Sequence, residues 1–295
     1  MTLISMLLAL IIERLAVRSN AWQAQRYVQA YLRLSSKTPL AGLARHQFGQ
    51  YIWLLLPGAV VMLLLCLIDN RLLTLIVNTL VLLVGIGCWH YRQLYKQYLN
   101  AQERGDAEAA YLVIEQIRRD SASKTEQTSY GQTMVWLNFR YYAATVFWFL
   151  LLGAFGVITY ALLRQLHEPL TLATAASDQE SAATDYSSLQ PASDTPDAVH
   201  YLNYWAQWFP TRLFSLGFAL VGYFSRASNT LLAYFLDVKT ANEQVLTEVA
   251  VAAEPIDPEL RNTVDETSAM VQLAKRNMLF FLAFAAVLTL SGLLN

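Results

Sequence analysis

Four long apolar runs dominate the pattern of the chain and predict membrane-spanning helices. Each run is long enough to cross about 30 Å of hydrocarbon as a helix, and together they cover residues 48–68, 72–89, 143–163 and 278–294. Only the polar residues 69–71 separate the first two runs, which predicts a tight helical hairpin. The chain is therefore expected to cross the membrane several times.

Two weaker apolar segments are expected to associate with the membrane as well. Residues 1–17 carry Glu13 and Arg14 near their end, and residues 209–224 begin with Pro210 and Arg212. The first segment lacks a basic start and a small-residue cleavage site, so it is predicted to stay in the mature chain.

The polar segments between the runs repeat apolar residues at helical spacing. In the first of them, five apolar side chains fall on one helical face, namely Ala24, Tyr27, Val28, Tyr31 and Leu32. The same spacing recurs in residues 106–119 and 231–250, whereas no alternating strand pattern of useful length is present. The prediction is an all-α, polytopic integral membrane protein with four strong and two weaker membrane-associated helices plus amphipathic cytoplasmic helices.

Composition supports a membrane protein and disfavours two other classes. Hydrophobic residues make up 55% of the 295 residues and charged residues only 15%, which is unusual for a soluble domain. The net charge of −1 and the lack of a basic stripe give no indication of nucleic-acid binding. Cys66 and Cys88 lie within apolar runs, which favours buried spacer thiols over a disulfide or a metal pair.

The distribution of lysine and arginine predicts the orientation in the membrane. Residues 13–47 hold six basic residues and one acid, and residues 90–142 hold seven basic residues and six acids. Residues 165–208 hold six acids and no lysine or arginine. We therefore expect six crossings with both termini outside, and a flexible acidic periplasmic loop at 165–208.

Charged residues beside the apolar segments are the candidate functional groups, because burying them is costly. Glu13, Arg14, Arg140 and Arg212 fit two interpretations equally well: a functional site, or anchoring at the headgroups and ion pairing. For Arg164 and Arg276 anchoring is favoured. No phosphate-binding loop, dinucleotide fingerprint or nucleophile elbow is present, and the four histidines are isolated from one another along the sequence.

Four strings carry a resemblance to a known family. In order along the chain they are MTLISMLLALIIERL, WLNFRYYAATVFWFLLLGAFG, QWFPTRLFSLGFALVGY and AMVQLAKR, and the chain resembles the AmpE family from end to end. The resemblance implies a multi-pass protein of the bacterial inner membrane that affects β-lactamase induction. It also implies a link to muropeptide recycling, and hence a cell-wall fragment or a protein of that route as partner.

The AmpE family is in turn similar to the CobD/CbiB-type membrane enzymes of cobalamin biosynthesis, which form an amide bond at the expense of ATP. The enzyme motif Glu-Asn-x-x-Asp-Gly corresponds here to residues 137–142, where Asn138 remains but Leu137 and Tyr141 replace the two acids. The Asn-Thr-x-Asp string of those enzymes has no counterpart near 163–168, and only Pro210, Arg212 and Leu213 match their Pro-x-Arg-Leu element.

Loss of the acids argues against catalysis, because Mg²⁺ requires hard oxygen ligands. The prediction is a non-catalytic regulatory protein with no cofactor and no metal site, in contact with the lipid bilayer. The alternative is a residual membrane ligase of the CobD/CbiB type, in which Asp265 or Glu266 would approach Asn138 and rebuild a metal site. The candidate functional or anion-binding residues are Glu13, Arg14, Asn138, Arg140, Pro210 and Arg212.

Overall fold

The computed structural model describes residues 2–15, 23–46, 48–86, 89–121, 128–175 and 198–292, apart from the side chains of 14, 15, 41, 44, 45 and 168–175. Within these ranges the chain is helical and contains no strand, which confirms the all-α class. The α-helices are α1 (Thr2–Leu15), α2 (Ala24–Ser36), α3 (Leu40–Arg45), α4 (Gly49–Ile68), α5 (Arg71–Gly85), α6 (Trp89–Glu103), α7 (Ala107–Asp120), α8 (Tyr130–Asn138), α9 (Ala144–Ala175), α10 (Ala198–Val221), α11 (Phe224–Tyr234), α12 (Asn242–Ala253) and α13 (Val264–Leu290).

In the part of the chain that the structure describes, three helical stretches are long and apolar enough to cross a membrane: Gly49–Ile68, Tyr130–His167 and Val264–Leu290. The number rises to four if α5 and α6 together form one span. Helix α5 has only 15 residues, so it does not qualify by itself as the span predicted at 72–89. The protein is a polytopic membrane protein, as expected.

Several helices extend beyond the apolar runs that predicted them. Helix α13 begins at Val264 because the Thr263 side chain caps it by accepting from the backbone N–H of Glu266. Helix α10 begins at Ala198, so both ends of the predicted 165–208 loop are helical, and its acidic centre at 176–197 lies outside the described residues. In α13 a polar capping residue thus sets the helix start independently of where the hydrophobic run begins.

The tight connection predicted between the first two runs is present. Asp69 adopts a left-handed conformation with φ 42°, and the Asn70 side chain accepts from the backbone N–H groups of Leu72 and Leu73 at the start of α5. Cys66, expected to be buried, is exposed on α4, because that helix presents much of its apolar surface outward, where lipid can cover it. Cys88 lies outside the described residues.

The described helices belong to two compact units. The first contains α1 to α5, nearly all of α9 and the start of α10; the second contains α6 to α8, the rest of α10 and α11 to α13. In the first unit, α2 packs through Val28, Tyr31 and Leu32 on a core around Trp53, and the Tyr31 hydroxyl donates to the Trp53 carbonyl at 2.8 Å. Burial raises the pKa of Tyr31 to about 12. The predicted apolar face of α2 is confirmed except at Tyr27, which is exposed.

In the second unit, α6, α7 and α8 share an apolar cluster. Helix α7 buries Ala110, Ile114 and Ile117 in it, as its spacing predicted. The continuous amphipathic helix predicted at 231–250 was wrong, because the chain turns at residues 235–241 between α11 and α12. That turn supplies the binding partners of a buried arginine described below.

Candidate functional site

A short π-helical segment, Phe139–Ala143, follows α8 and carries the Asn-Phe-Arg-Tyr-Tyr string. Helix α8 begins with a capping box, in which the Ser129 hydroxyl and the Gln132 side chain each accept from the other's backbone N–H. At the far end the N–H of Ala144 donates to the carbonyl of Phe139, the wide spacing of a π turn. Such segments rotate the following side chains relative to a regular helix and are frequent at functional sites.

Three helices of the second unit pack around this segment. Gly131 of α8 faces Glu266 and Met270 of α13 so closely that a Cβ there would lie 2.8 Å from a Met270 carbon. Further along both helices, Asn138 and Asn277 line one cavity. Residue numbers therefore rise in the same direction, so α8 and α13 run parallel.

Helix α10 crosses the same layer in the opposite direction. The Asn277 amide of α13 donates to the carbonyl of Phe214 at 2.9 Å, and the rings of Phe214 and Phe281 are 4.5 Å apart. Gly217 lies against the Asn277 carboxamide. Helices α10 and α13 are therefore antiparallel, and Asn277 joins them.

The cavity enclosed by these helices is small and uncharged. It measures about 10 Å³, room for roughly one water molecule. Asn138 and Asn277 provide its two side-chain carboxamides, and the other lining residues are apolar: Val135, Phe139, Ala143, Phe214, Phe218, Ala274 and Met278. Carboxamides of this kind can donate and accept hydrogen bonds but supply no charge for a phosphate or a metal.

Arg140 is buried and directed toward the end of α7. Its guanidinium donates to the carbonyl of Ser121 at 3.2 Å and lies 5.9 Å from the ring of Trp136. Ser121 follows α7 as its C-cap, where helix carbonyls lack intrahelical donors and attract cations. The described contacts give Arg140 a role in joining α7 to the π-helical segment.

Arg212 is buried as well and holds the turn between α11 and α12. It donates to Asn242 Oδ1 at 2.6 Å and to the carbonyl of Asp237 at 2.5 Å, and it lies 4.7 Å from the ring of Trp208. The Thr240 hydroxyl and the Lys239 backbone N–H donate to the Asp237 carboxylate and lower its pKa. The sequence contained a signal for this turn, since Asp237 and Asn242 are typical of turns and helix starts.

Pro210 leaves one backbone carbonyl of α10 without its usual N–H donor. It lies inside α10, where proline has no N–H for the carbonyl four residues earlier. That carbonyl belongs to Ala206 and accepts from Trp148 Nε1 at 2.9 Å. The Trp-Phe-Pro-x-Arg-Leu string therefore combines a freed carbonyl with a buried arginine.

The remaining candidates lie elsewhere. Glu13 is buried on α1 in the first unit, and the side chain of Arg14 lies outside the described residues. Arg164, predicted to reach the headgroups, is instead fully buried and donates at 2.9 Å to the carbonyl of Gly85, the last residue of α5, where helix carbonyls lack intrahelical donors. Arg276 forms a partly exposed ion pair with Glu254.

The positions that the predicted CobD/CbiB likeness would assign to acids are core positions here. Leu137 and Tyr141 are both buried in the cluster shared by α6, α7 and α8, and the ring of Tyr141 lies 5.3 Å from that of Tyr91. Glu266 accepts from the backbone N–H of Asn262 at 2.6 Å and lies beside Gly131, about 10 Å along α8 from Asn138. Among the described residues no group of three or more His, Cys, Asp or Glu is arranged to hold a metal ion.

The sequence marked Asn138 but not the residues that pack beside it. Asn277 and Gly217 are uncharged and belong to no catalytic motif, so only packing shows their contacts. The structure also brings together His167 and His200, which are distant in sequence, with ring centroids 5.3 Å apart in the first unit.

A family model described as "Regulatory signalling modulator protein AmpE" matches residues 1–295. The chain belongs to the AmpE family. It is 28% identical over 306 residues to Protein AmpE of Shigella flexneri, with 100% of both chains covered. No solved structure matches the chain. The end-to-end AmpE resemblance is thus confirmed, while the further likeness of the AmpE family to CobD/CbiB-type enzymes stays a prediction.

Proposed function

We propose that this AmpE-family protein is a non-catalytic regulatory protein of the bacterial inner membrane that affects β-lactamase induction and cell-wall recycling. The family description names a regulatory signalling modulator, and the long apolar helices account for membrane residence. The family resemblance supports three further parts of this proposal: residence in the inner membrane, an effect on the induction route, and a cell-wall fragment or a protein as partner.

The observation that supports a non-catalytic role is the burial of Leu137 and Tyr141 in an apolar cluster. An enzyme that activates a carboxylate with ATP must hold Mg²⁺ with oxygen ligands facing its substrate. Here both side chains pack against α6 and α7 and supply no carboxylate. The adjacent cavity contains two neutral carboxamides and about one water's volume.

A regulatory role fits the way in which the three helices of this layer are joined. Asn277 links α13 to α10, and Arg212 links α10 to the turn before α12. If such a layer has two packing arrangements, a ligand or partner that binds one of them more tightly shifts the population toward that arrangement. Because the cavity holds only about one water, the signal would open this layer or bind outside it.

Helix directions in the second unit support the predicted topology. If α9 and α13 leave the cytoplasm and α10 returns to it, α8 and α13 must be parallel and α10 antiparallel to them. The contacts of Gly131, Asn277 and Gly217 give these directions. We propose six crossings with both termini outside and the acidic centre of the predicted 165–208 loop in the periplasm, with α10 crossing between this centre and the level of Arg212.

The test is β-lactamase induction by a β-lactam in the native host lacking this gene. We expect the deletion to change the induction ratio and the wild-type gene to restore it. Asn277→Ala should restore it less well at equal protein level, whereas Arg226→Ala, at an exposed position, should restore it fully. An unchanged induction ratio in the deletion strain would contradict the proposal.

A further inference from the structure

Helices α11 and α12 form a hairpin that folds back along α10. The Tyr223 N–H donates to the carbonyl of Ala253 at 2.7 Å, which joins the end of α10 to the end of α12. At the other end of the hairpin, Arg212 binds Asp237 and Asn242. From the end of α10, helix α11 thus returns along α10 to the level of Arg212. The chain turns there, and α12 runs back toward the end of α10.

The turn lies level with the beginning of an apolar membrane segment. Phe214, two residues after Arg212, contacts Asn277 and Phe281 of α13. The continuous apolar part of α13 starts at Met278, directly after Asn277. Within about one helical turn, the hairpin therefore ends where the apolar surface of α13 begins.

Four large apolar side chains at this end are exposed. They form the hairpin tip, and their exposed fractions are high: Leu232 73%, Phe235 43%, Leu236 80% and Val238 51%. By contrast, Ala227 and Leu231 on the inner face of α11 are buried. Contiguous exposed apolar groups of this size mark a surface that meets another apolar phase.

The exposed apolar surface of α13 begins at the same level. Leu279 is 64% exposed there, and Val287, about 12 Å further along the helix, is 62% exposed, as expected for side chains that face lipid. The tip also carries two charged residues, the half-buried Asp237 and the exposed Lys239, which suit the headgroup layer and limit insertion to a shallow depth.

We propose that the hairpin tip inserts into the headgroup–acyl boundary of the bilayer beside the second unit. Arg212 fixes the depth, since it binds the turn at two points, and the tip anchors α11 and α12 to the membrane surface. A change in lipid packing at this level would thus act on the turn that Arg212 holds. The proposal concerns the bilayer contact alone and does not depend on the regulatory function.

Spin-label accessibility in proteoliposomes tests the insertion. In a full-length Cys66→Ala/Cys88→Ala background, single cysteines would be placed at Leu236, at Leu279 as the lipid-facing control, and at Glu259 as the exposed polar control. We expect the Leu236→Cys label to resemble that at 279, with high access for oxygen and low access for a water-soluble nickel chelate. The Glu259→Cys label should show the reverse.

Two outcomes would overturn the proposal. A Leu236→Cys label as accessible to the nickel chelate as the label at 259 would place the tip in water. A label shielded from both reagents would place it against protein, such as a second copy of the chain. Elution volume and helical content of each variant show whether it is folded, and quenching of a bimane label at 236 by brominated lipid gives an independent measurement.

Discussion

Asn277 and Gly217 lie so close that a Cβ placed on Gly217 would stand 2.1 Å from Oδ1 of Asn277. The absent side chain at 217 lets α13 approach α10 until the Asn277 amide reaches the Phe214 carbonyl. This contact closes the cavity that also contains Asn138. The packing of the candidate site thus depends on a glycine and an asparagine that no catalytic motif includes.

Gly217→Ala should destabilise the protein by about 1–3 kcal/mol, the usual effect of overpacking. Adding Asn277→Ala should recover part of the loss, because the clash requires both side chains. Thermal unfolding in detergent measures both effects. Gly42→Ala is the control, since a Cβ there meets nothing within 4 Å; equal stability of the 217 and 42 variants would show that the helices do not pack this closely.

Substituting any of three arginines that are buried among the described residues should lower stability. Arg140, Arg164 and Arg212 each donate to oxygens of the chain, so replacement by methionine leaves buried acceptors without a donor, at a cost of about 1–3 kcal/mol each. The exposed Arg226→Met variant should change stability by less than about 0.5 kcal/mol.

The sequence alone favoured a milder effect at Arg164, because it was expected to lie at the headgroups. Because Arg164 is completely buried, we expect its substitution to lower stability as much as substitution of Arg140 or Arg212. Denaturation midpoints of the four variants decide the question: if Arg212→Met or Arg164→Met were as stable as Arg226→Met, the described arginine contacts would not support the fold.

Trp148→Phe should cost about 1 kcal/mol by removing the donor to the Ala206 carbonyl. In a Pro210→Ala background the cost should be smaller, because the new N–H at 210 can donate to that same carbonyl. A double-mutant cycle of unfolding free energies isolates this coupling from the general loss of tryptophan packing. Additive effects would contradict the role assigned to Pro210.

Reporter fusions after Ala107 and Ser187 should report opposite compartments. The first site lies in a segment with a high content of lysine and arginine, and the second in one that has neither. Alkaline phosphatase should be active only at 187 and a cytoplasmic reporter only at 107. The same compartment for both sites would contradict the six-crossing arrangement.

The sequence predicted those features that depend on local patterns. The all-α class, the α4–α5 connection and the inner face of α7 follow from hydrophobic spacing and from turn residues such as Asp69 and Asn70. The helical residues 198–208 and 264–277 were missed because neither stretch is a continuous apolar run; the second begins at the Thr263 cap.

The candidate site was predictable only in part. Asn138 was selected because the resemblance marked it, but Asn277 carries no signal in a segment of ordinary helical composition. The burial of Arg164 was missed because its acceptor, Gly85, is far away in sequence. Contacts between distant segments decide both cases, and hydrophobic periodicity contains no information about them.

The central claim is that the Asn138 edge is a packing layer in a protein that does not use ATP. Isothermal calorimetry of the detergent-purified full-length protein with Mg-ATP tests it most directly. The account predicts no saturable, Mg²⁺-dependent heat for the wild type, since Leu137 and Tyr141 are buried in an apolar cluster. Saturable Mg²⁺-dependent binding that disappears in Asn138→Ala, with the variant still folded, would contradict the account and favour the ligase alternative.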